Sequence, residues 1–407
     1  MSVLRVGVVG AGRRVLDMYA PVLGELRDDF EVVGVTSRTA AAARRAAEVL
    51  RVRPHRDIQA LVRDARPEIL VVAVYAPANG AVALAAIETG CAVLLETPVA
   101  QELVDARRVT GVAARARAPV GVAEQKPFLP WEYFKRQLIE AGALGQVIVT
   151  ENDYRSYDYH AIAQLRRYLS PDAVPRRAQA TRATFALDSY ARAGEGGATT
   201  AGPRVEQWEI GTVTMDDGSL LIHRYTSASK VAPFRTFQSL RIYGTRGSAV
   251  NDEIVVLDAQ QRSVRLRVEE TGAARSGLAP ASIAVTLPDG EVVAWENPFA
   301  GRGFTDDQVA VALHLIALRD AVAGRGAPLY TSHDALRDIE ALDAFRRSAA
   351  ADGAPVDVRH TCGDPRCTPV TVLKHAVRFK TWVAGPRGRA LILRLRGRAA
   401  RHLRRVF

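Results

Sequence analysis

The sequence predicts an α/β protein of two domains: a doubly wound parallel sheet in the N-terminal third, then an α+β domain whose open sheet is largely antiparallel. Three observations carry this. Across residues 1–122 short β-branched runs alternate strictly with Ala- and Arg-rich amphipathic stretches, which implies parallel strands joined by right-handed crossovers. From about 178 to 300 the apolar residues instead recur with period two, between turn signals such as Asp216-Asp217-Gly218 and Gly244-Thr245-Arg246-Gly247, as antiparallel sheet requires. And a chain of 407 residues is longer than one hydrophobic core usually supports.

In order along the first domain, Leu4–Val9, Glu31–Thr36, Glu68–Val74, Ala92–Glu96 and Pro119–Ala123 read as buried strands. Residues 13–27, 39–50, 79–89 and 101–117 read as the helices between them, closed by signals such as Thr89-Gly90. The pattern changes near Pro127. A helix over Pro130–Gly142, a strand over Gln146–Asp153 and a helix over Tyr159–Leu169 follow. The period-two strands are Arg182–Leu187, Glu206–Met215, Ser219–Thr226, Ser239–Tyr243, Glu253–Leu257 and Ser263–Val268, interrupted by a Gly-rich loop at Ala193–Pro203. Amphipathic helices are expected over Asp306–Ala323 and Asp334–Ala350. The expected division is 1–122, 123–356 and a C-terminal extension, 357–407.

Composition removes several function classes. No apolar run reaches the length of a membrane span, and the apolar start runs straight into Gly10-Ala11-Gly12 without the basic segment of a secretory leader. Three cysteines argue against a disulfide framework and for a reducing, cytoplasmic setting. The net charge of +11 is uneven: Pro365–Phe407 holds 12 Lys and Arg and no acid, so residues 1–364 carry −1. The basic character belongs to the tail.

The chemistry starts at Gly10-Ala11-Gly12, which follows the first strand and opens the first helix, with Arg13 and Arg14 next. There the first glycine permits a tight turn and the second lets backbone amides approach a pyrophosphate, at the positive end of a helix. This is the setting of a Rossmann dinucleotide site. Five residues after Gly10, where a third glycine is usual, stands Val15. The second strand ends in Ser37-Arg38-Thr39, with no acid to accept the ribose 2′-hydroxyl bond of NAD. An Arg between two hydroxyls suits a 2′-phosphate dianion, so NADP is favoured, with NAD as the alternative.

These features resemble the Gfo/Idh/MocA family, named after glucose–fructose oxidoreductase and inositol dehydrogenase, over residues 3–356. The carriers are Gly10-Ala11-Gly12, Tyr75-Ala76-Pro77 after the strand Glu68–Val74, and Thr89 through Ala100 with Glu96-Thr97-Pro98. Later come Glu140 through Val147, Ile242 through Gly247, and the closing helix bearing Ser348. The resemblance implies a Rossmann domain, a second α/β domain whose open sheet forms oligomer contacts in dimers or tetramers, and NAD(P)-linked oxidation or reduction of a sugar, cyclitol or related small carbonyl compound. It adds Tyr75, Pro77, Glu96, Thr97, Pro98, Glu124 and Gln125 to the cofactor-facing residues, with Pro98 as a cis proline. Glu96 and Glu124 either position the nicotinamide ribose and amide or pair with nearby arginines.

One departure is chemical. Members of that family carry Glu-Lys-Pro, and the lysine polarises or protonates the substrate oxygen; Thr97 is neutral and a poor acid. Lys126 is the candidate to replace it, against the alternative of a solvated linker lysine. His160, in Tyr157-Asp158-Tyr159-His160, falls on the family's histidine, a residue type that exchanges protons near neutrality; the alternative is a capping or core histidine. Ala163 takes the place of an Asp, and the segment from Gly145 to His160 is shorter than the family's. Tyr154, Tyr157, Asp158 and Tyr159 crowd the same stretch and suit a polyhydroxylated or aromatic ligand. Catalysis is thus assigned to His160, Lys126, Tyr157 and Asp158.

His360, Cys362, Cys367 and His375 have looser spacing than a zinc knuckle, and no metal is expected. On the tail, Ile392, Leu395, Ala399, Leu403 and Val406 share one helical face among arginines. That suits an anionic membrane surface, an acidic protein groove or phosphate backbones, with peripheral attachment to a membrane as one expectation; the alternative is a disordered or self-packed basic end, and no specific nucleic acid is expected. The functional expectation is an NADP-dependent oxidoreductase of a sugar-like carbonyl or hydroxyl compound. The alternative, prompted by Thr97, is a dinucleotide-binding protein that recycles its cofactor, as an isomerase or lyase, or serves as sensor or scaffold.

Overall fold

A computed structural model describes residues 3–153, 156, 158–188, 204–227, 238–272 and 277–359. The β-branched runs of the first third form β1 (Leu4–Val9), β2 (Phe30–Thr36), β3 (Pro54–His55), β4 (Ile69–Val72), β5 (Ala92–Leu95) and β6 (Val120–Val122), one parallel sheet ordered β3-β2-β1-β4-β5-β6. Helices on both faces leave no polar face to the central strands, and all four residues of β4 are fully buried. The helices are α1 (Ala20–Glu25), α2 (Ala40–Leu50), α3 (Ile58–Ala65), α4 (Asn79–Ile87) and α5 (Leu103–Ala113). Strand order reverses between β1 and β4, which opens a crevice at the carboxyl ends of the strands.

Two expectations need correction here. The helix expected over 13–27 is a π-helical turn at Val15–Tyr19 followed by the short α1. Pro21 near the start of α1 has no N–H for the Asp17 carbonyl; Gln308 Nε2 approaches that oxygen instead, at 3.5 Å. β3 and α3 were not expected. Asp57 caps α3, its Oδ1 accepting the Ala60 N–H at 2.7 Å, but the arginines around it blur the apolar period.

Beyond residue 126 come α6 (Pro130–Glu140), β7 (Val147–Asp153), α7 (Asp158–Tyr168), β8 (Pro175–Leu187), β9 (Arg204–Met215), β10 (Leu220–Thr226), β11 (Ser239–Gly244), β12 (Gly247–Val250), β13 (Glu253–Leu257), β14 (Ser263–Arg265), β15 (Glu269–Thr271), β16 (Ser282–Thr286) and β17 (Val292–Glu296). Next are α8 (Asp306–Val322), α9 (Ser332–Ala350) and β18 (Val356–Asp357). The large sheet is ordered β14-β13-β12-β11-β7-β10-β9-β8-β18, antiparallel except for the β7–β10 pair; β15, β16 and β17 form a separate antiparallel sheet. Register places Thr150, Leu221, Val213, Ala178, Ile242, Ala249 and Ile254 in one buried row. On the opposite face Glu151 and Asp153 of β7 meet Arg224 and Arg241 from the neighbouring strands. Near the α9 side the register requires a glycine: a Cβ on Gly211 would lie 2.7 Å from the Phe345 ring.

The described chain divides into two compact units, one reaching to Gln125 and including Gly301–Ile339, the other holding Lys126–Ala300 and residues 340–359. This corrects the expected second domain of 123–356, which gives up Gly301–Ile339 to the first unit. The reason is visible within that unit. Val122 N–H donates to Tyr330 O at 2.8 Å and Gly121 bridges Thr331 in antiparallel fashion, so the stretch after α8 pairs with β6, and α8 packs along β5 and β6. α8 is also less amphipathic than expected, since Val309 through Ala312 are all fully buried. In the second unit β18 pairs with β8 through Val356 and Asp357, and Val358 is buried, so the packing of this unit continues past the expected boundary at 356. Tyr154, Tyr157, the Ala193–Pro203 loop, the His360–His375 group and the basic tail from residue 360 lie outside the described residues.

Candidate functional site: a dinucleotide crevice

β1 ends at Val9 and the chain turns sharply at Gly10, whose φ of +131° excludes other residues. A Cβ there would lie 2.0 Å from the Ala73 carbonyl oxygen, whereas Gly12 has no atom within 4 Å of its Cβ position. The first glycine is therefore required by the sheet, and the second leaves the backbone open to a ligand. The Val15 and Leu16 N–H groups donate to the Gly12 carbonyl at 3.0 and 3.2 Å, so it is the N–H groups ahead of them, at the positive end of the helix, that a phosphate would take. Around this turn lies a crevice of about 660 Å³, lined by Gly10, Ala11, Gly12, Arg13 and Arg14 from one side. Ser37, Arg38, Thr39 and Ala42 line it at the end of β2, and Ala73, Val74 and Tyr75 at the end of β4. Nine of the cofactor candidates thus share one cavity, and no Asp or Glu lines it. Ser37 is half-buried and Arg38 exposed. The Thr39 hydroxyl caps α2 by accepting the Ala42 N–H at 3.3 Å, which leaves its proton free to donate. Tyr75 stands at the rim, 78% exposed.

Pro77, Glu96, Thr97, Pro98, Glu124 and Gln125 are not in the cavity wall, but two of them are bonded to it through Arg14. Arg14 Nε donates to Glu96 Oε1 at 2.6 Å, and its Nη2 donates to Gln125 Oε1. Glu96 also accepts from the Tyr19 hydroxyl at 2.7 Å and from the Thr97 N–H at 3.2 Å. Burial first, and Glu96 second, push the Tyr19 hydroxyl well above its ordinary pKa, so it stays a donor. The Thr97–Pro98 peptide is cis. Asn79, buried at the start of α4, donates from Nδ2 to the carbonyls of Glu96 and Pro98 at 2.7 and 2.8 Å. Of the two readings open for Glu96, pairing with an arginine is observed. The Glu124 carbonyl accepts from His314 Nε2 of α8 at 2.8 Å, and burial holds His314 at a pKa of about 4. Pro77 shapes a 3-10 turn over Ala76–Ala78.

The catalytic candidates belong to the second unit. Lys126 is half-buried in a 3-10 turn at Lys126–Phe128. His160, 7% exposed, lies in the first turn of α7 with its ring centroid 4.3 Å from that of Tyr159. Asp158 starts α7 at a φ of +44°. Burial foremost, and then the nearby Glu209, raise its carboxyl pKa, against the pull of Arg346, Arg182 and His160. Tyr157 lies outside the described residues.

Residue-by-residue reading missed the groups that support this turn. Asn152 clamps it, donating from Nδ2 to Ser156 O and accepting the Ser156 N–H at Oδ1, both at 2.9 Å. Asn152 Nδ2 also lies 3.2 Å from Nδ1 of the fully buried His223, which burial holds at a pKa of about 4. Glu209, bonded by Arg182 Nε at 3.2 Å, comes within 4.0 Å of His223 Nε2. Polar residues inside otherwise apolar strands were the available signal, as Asn79 was in an apolar helix.

Residues 4–124 match the family described as an oxidoreductase family with an NAD-binding Rossmann fold, GFO_IDH_MocA. An uncharacterized protein of Saccharomyces cerevisiae is 23% identical over 381 residues, covering 88% of this chain and 99% of that protein. Among solved structures, levoglucosan dehydrogenase in complex with NADH and levoglucosan superposes with a TM-score of 0.65 at 17% identity, over 88% of this chain and all of that one. The myo-inositol dehydrogenase of Lactobacillus casei in complex with NAD(H) and myo-inositol gives 0.59 at 18%, over 90% and 99%. At such identities these structures show a shared fold, an N-terminal Rossmann sheet with a mixed, mostly antiparallel sheet after it. Through residues 4–124 the chain is similar to the Gfo/Idh/MocA oxidoreductase family with its NAD-binding Rossmann fold.

Proposed function

We propose that the protein is an NADP-preferring oxidoreductase that moves hydride between the nicotinamide and a sugar-like or other small carbonyl or hydroxyl compound. The observation that carries the cofactor choice is a crevice at the strand-order switch point whose β2 corner presents Ser37, Arg38 and Thr39 and no acidic side chain. The residues fit the dinucleotide: Gly12 leaves an open cradle, the first-turn amides and Arg13 suit its pyrophosphate, and Arg38 suits a 2′-phosphate. The bound dinucleotide would supply or accept the hydride. Glu96, Gln125 and the Thr97–Pro98 turn would shape the nicotinamide half. His160 would exchange the proton with the substrate oxygen, with Lys126 or a tyrosine such as Tyr157 in the role that Thr97 cannot fill, and Asp158 beside it. The levoglucosan and inositol ligands of the two dehydrogenases support a polyhydroxylated substrate, and the homo-oligomer implied by the resemblance belongs to the same proposal.

Titration calorimetry with NADPH and NADH, followed by a carbonyl and polyol panel read at the nicotinamide absorbance, tests this. Binding of NADPH in preference to NADH and turnover of a polyol or sugar carbonyl are expected. Binding of neither dinucleotide would sink the proposal. One observation favours a second reading: Thr97 removes the family's acid from the turn. Tight binding without net turnover, but with isomerisation or elimination of a sugar, would select cofactor recycling instead.

A further inference from the structure

Arg14 is not explained by the phosphate contacts. A guanidinium serving only the pyrophosphate would stay beside the glycine turn, whereas Arg14 reaches from the turn after β1 to Glu96 at the end of β5 and Gln125 at the end of β6. Those strands lie on the far side of the switch point from β2 and its Arg38. A dinucleotide bound across such a crevice places its adenosine over the β1–β2 half and its nicotinamide over the other. Arg14 therefore crosses into the nicotinamide half while still lining the crevice, its side chain 28% exposed. Its aim is fixed by two side-chain acceptors and by the Tyr19 ring, 5.9 Å from the guanidinium carbon.

The charges that face one another there are few. Within this unit Glu96 and, on α8, Asp307 are the acids that act on Arg14; Tyr19 remains protonated and His314 is neutral above a pH of about 4. The neighbouring turn residue, Thr97, contributes no charge. An oxidised nicotinamide ring is a cation and a reduced one is neutral, so a carboxylate left without its cation favours the oxidised ring and an added cation disfavours it. We infer that Arg14, by offsetting Glu96 in the nicotinamide half of the crevice, sets the relative affinity of the protein for reduced over oxidised dinucleotide. This rests on the dinucleotide reading above. It assigns to Arg14 the charge balance at the ring and leaves the substrate's proton to other groups.

The test is binding alone. Kd for NADPH is read from its own fluorescence, and Kd for NADP+ by competition, in the wild type, Arg14→Gln, Arg14→Lys, Glu96→Gln and the Arg14→Gln/Glu96→Gln pair. Arg14→Gln should shift the ratio of the two constants about tenfold toward NADP+, the scale of one partly screened charge at contact distance. Arg14→Lys should stay near the wild type. Glu96→Gln should shift the ratio the opposite way, and the double variant should return it toward the wild-type value. Higher salt should shrink every shift. An Arg14→Gln protein that loses both ligands equally, or neither, overturns the inference. If that variant does not fold, Glu96→Gln decides alone: an unchanged ratio there overturns it. A wild type that binds NADPH and NADP+ but shows no ratio change on substitution sinks this inference only, whereas a wild type that binds neither sinks the dinucleotide reading with it.

Discussion

At the level of single residues, the crevice separates what recognises the cofactor from what holds the sheet together. Arg38 is exposed and borders the cavity, and on the proposed reading its removal costs a bound 2′-phosphate a charged hydrogen bond. Arg38→Ala should weaken NADPH by about 1.5–3 kcal/mol, the range for bonds to charged groups, and leave NADH nearly unchanged. Paired titrations with the two cofactors check this, and equal losses would remove Arg38 from the 2′-phosphate. His160 makes the opposite kind of prediction. It is almost fully buried beside Asp158 and Tyr159, and His160→Asn should preserve dinucleotide affinity while turnover falls by about 10²–10⁴, as loss of a general acid–base group does. Full activity in that variant would return His160 to a packing role. Both residues were legible because a motif or a strand end fixed their place. Glu209, His223 and Asn152 were not, because what brings them to α7 is register between β7, β9 and β10, a long-range fact that local period does not carry.

Elements show the same division. β1, β2, β4, β5 and β6 were readable because a buried parallel strand is a short apolar run bounded by turns, and the structure leaves β1 as expected and moves ends of the others by at most two residues. β3, β15, β16 and β17 escaped, being short or interrupted by charges. The β16–β17 hairpin did carry a signal in Asp289-Gly290. The turn after β1 yields the sharpest element-scale prediction. Gly10→Ala forces a Cβ to within 2.0 Å of the Ala73 carbonyl at a φ that L-residues avoid. Thermal unfolding should show a loss of more than about 1 kcal/mol, since an Ala at an incompatible φ costs more than the entropy it saves, and the crevice should lose its ligand. An unshifted melting transition would mean the turn relaxes freely. At α8, Thr305 and Gln308 form a capping box, each side chain bonding the other's backbone N–H. Thr305→Ala should cost about 1 kcal/mol in the first unit, detectable in the same melt.

On the scale of the whole chain, each unit buries a histidine that it keeps uncharged: His314 in the first and His223 in the second, both held at a pKa of about 4 by burial. A histidine in the unfolded chain titrates near 6.5. Because the folded value is the lower one, each imidazole contributes its full stability above about pH 6.5. That contribution is lost as the pH falls toward 4, where the folded protein must bury a cation or open. The difference corresponds to on the order of 3 kcal/mol per histidine. Denaturant unfolding between pH 7.5 and 4 should therefore show stability falling below about 6.5, with His314→Gln and His223→Gln each flattening part of that slope at some cost in packing at pH 7.5. A slope indifferent to both substitutions would assign acid sensitivity to the carboxylates. The chain's charge poses a separate question, since the excess lies beyond Asp364 while the last residue shown to pack in the second unit is Val358, whose N–H donates to Arg176 O at 2.8 Å. A cut at 356 would remove that edge strand, so the chain should be shortened after Arg359. We propose that this shortened chain keeps its fold and its dinucleotide affinity and loses any salt-sensitive attachment to anionic vesicles, where each Lys or Arg near the surface is worth about 1 kcal/mol. Co-sedimentation of both lengths at low and high salt decides it: a full-length protein that ignores vesicles at low salt removes the membrane role, and a shortened chain that unfolds makes the tail part of the packed body.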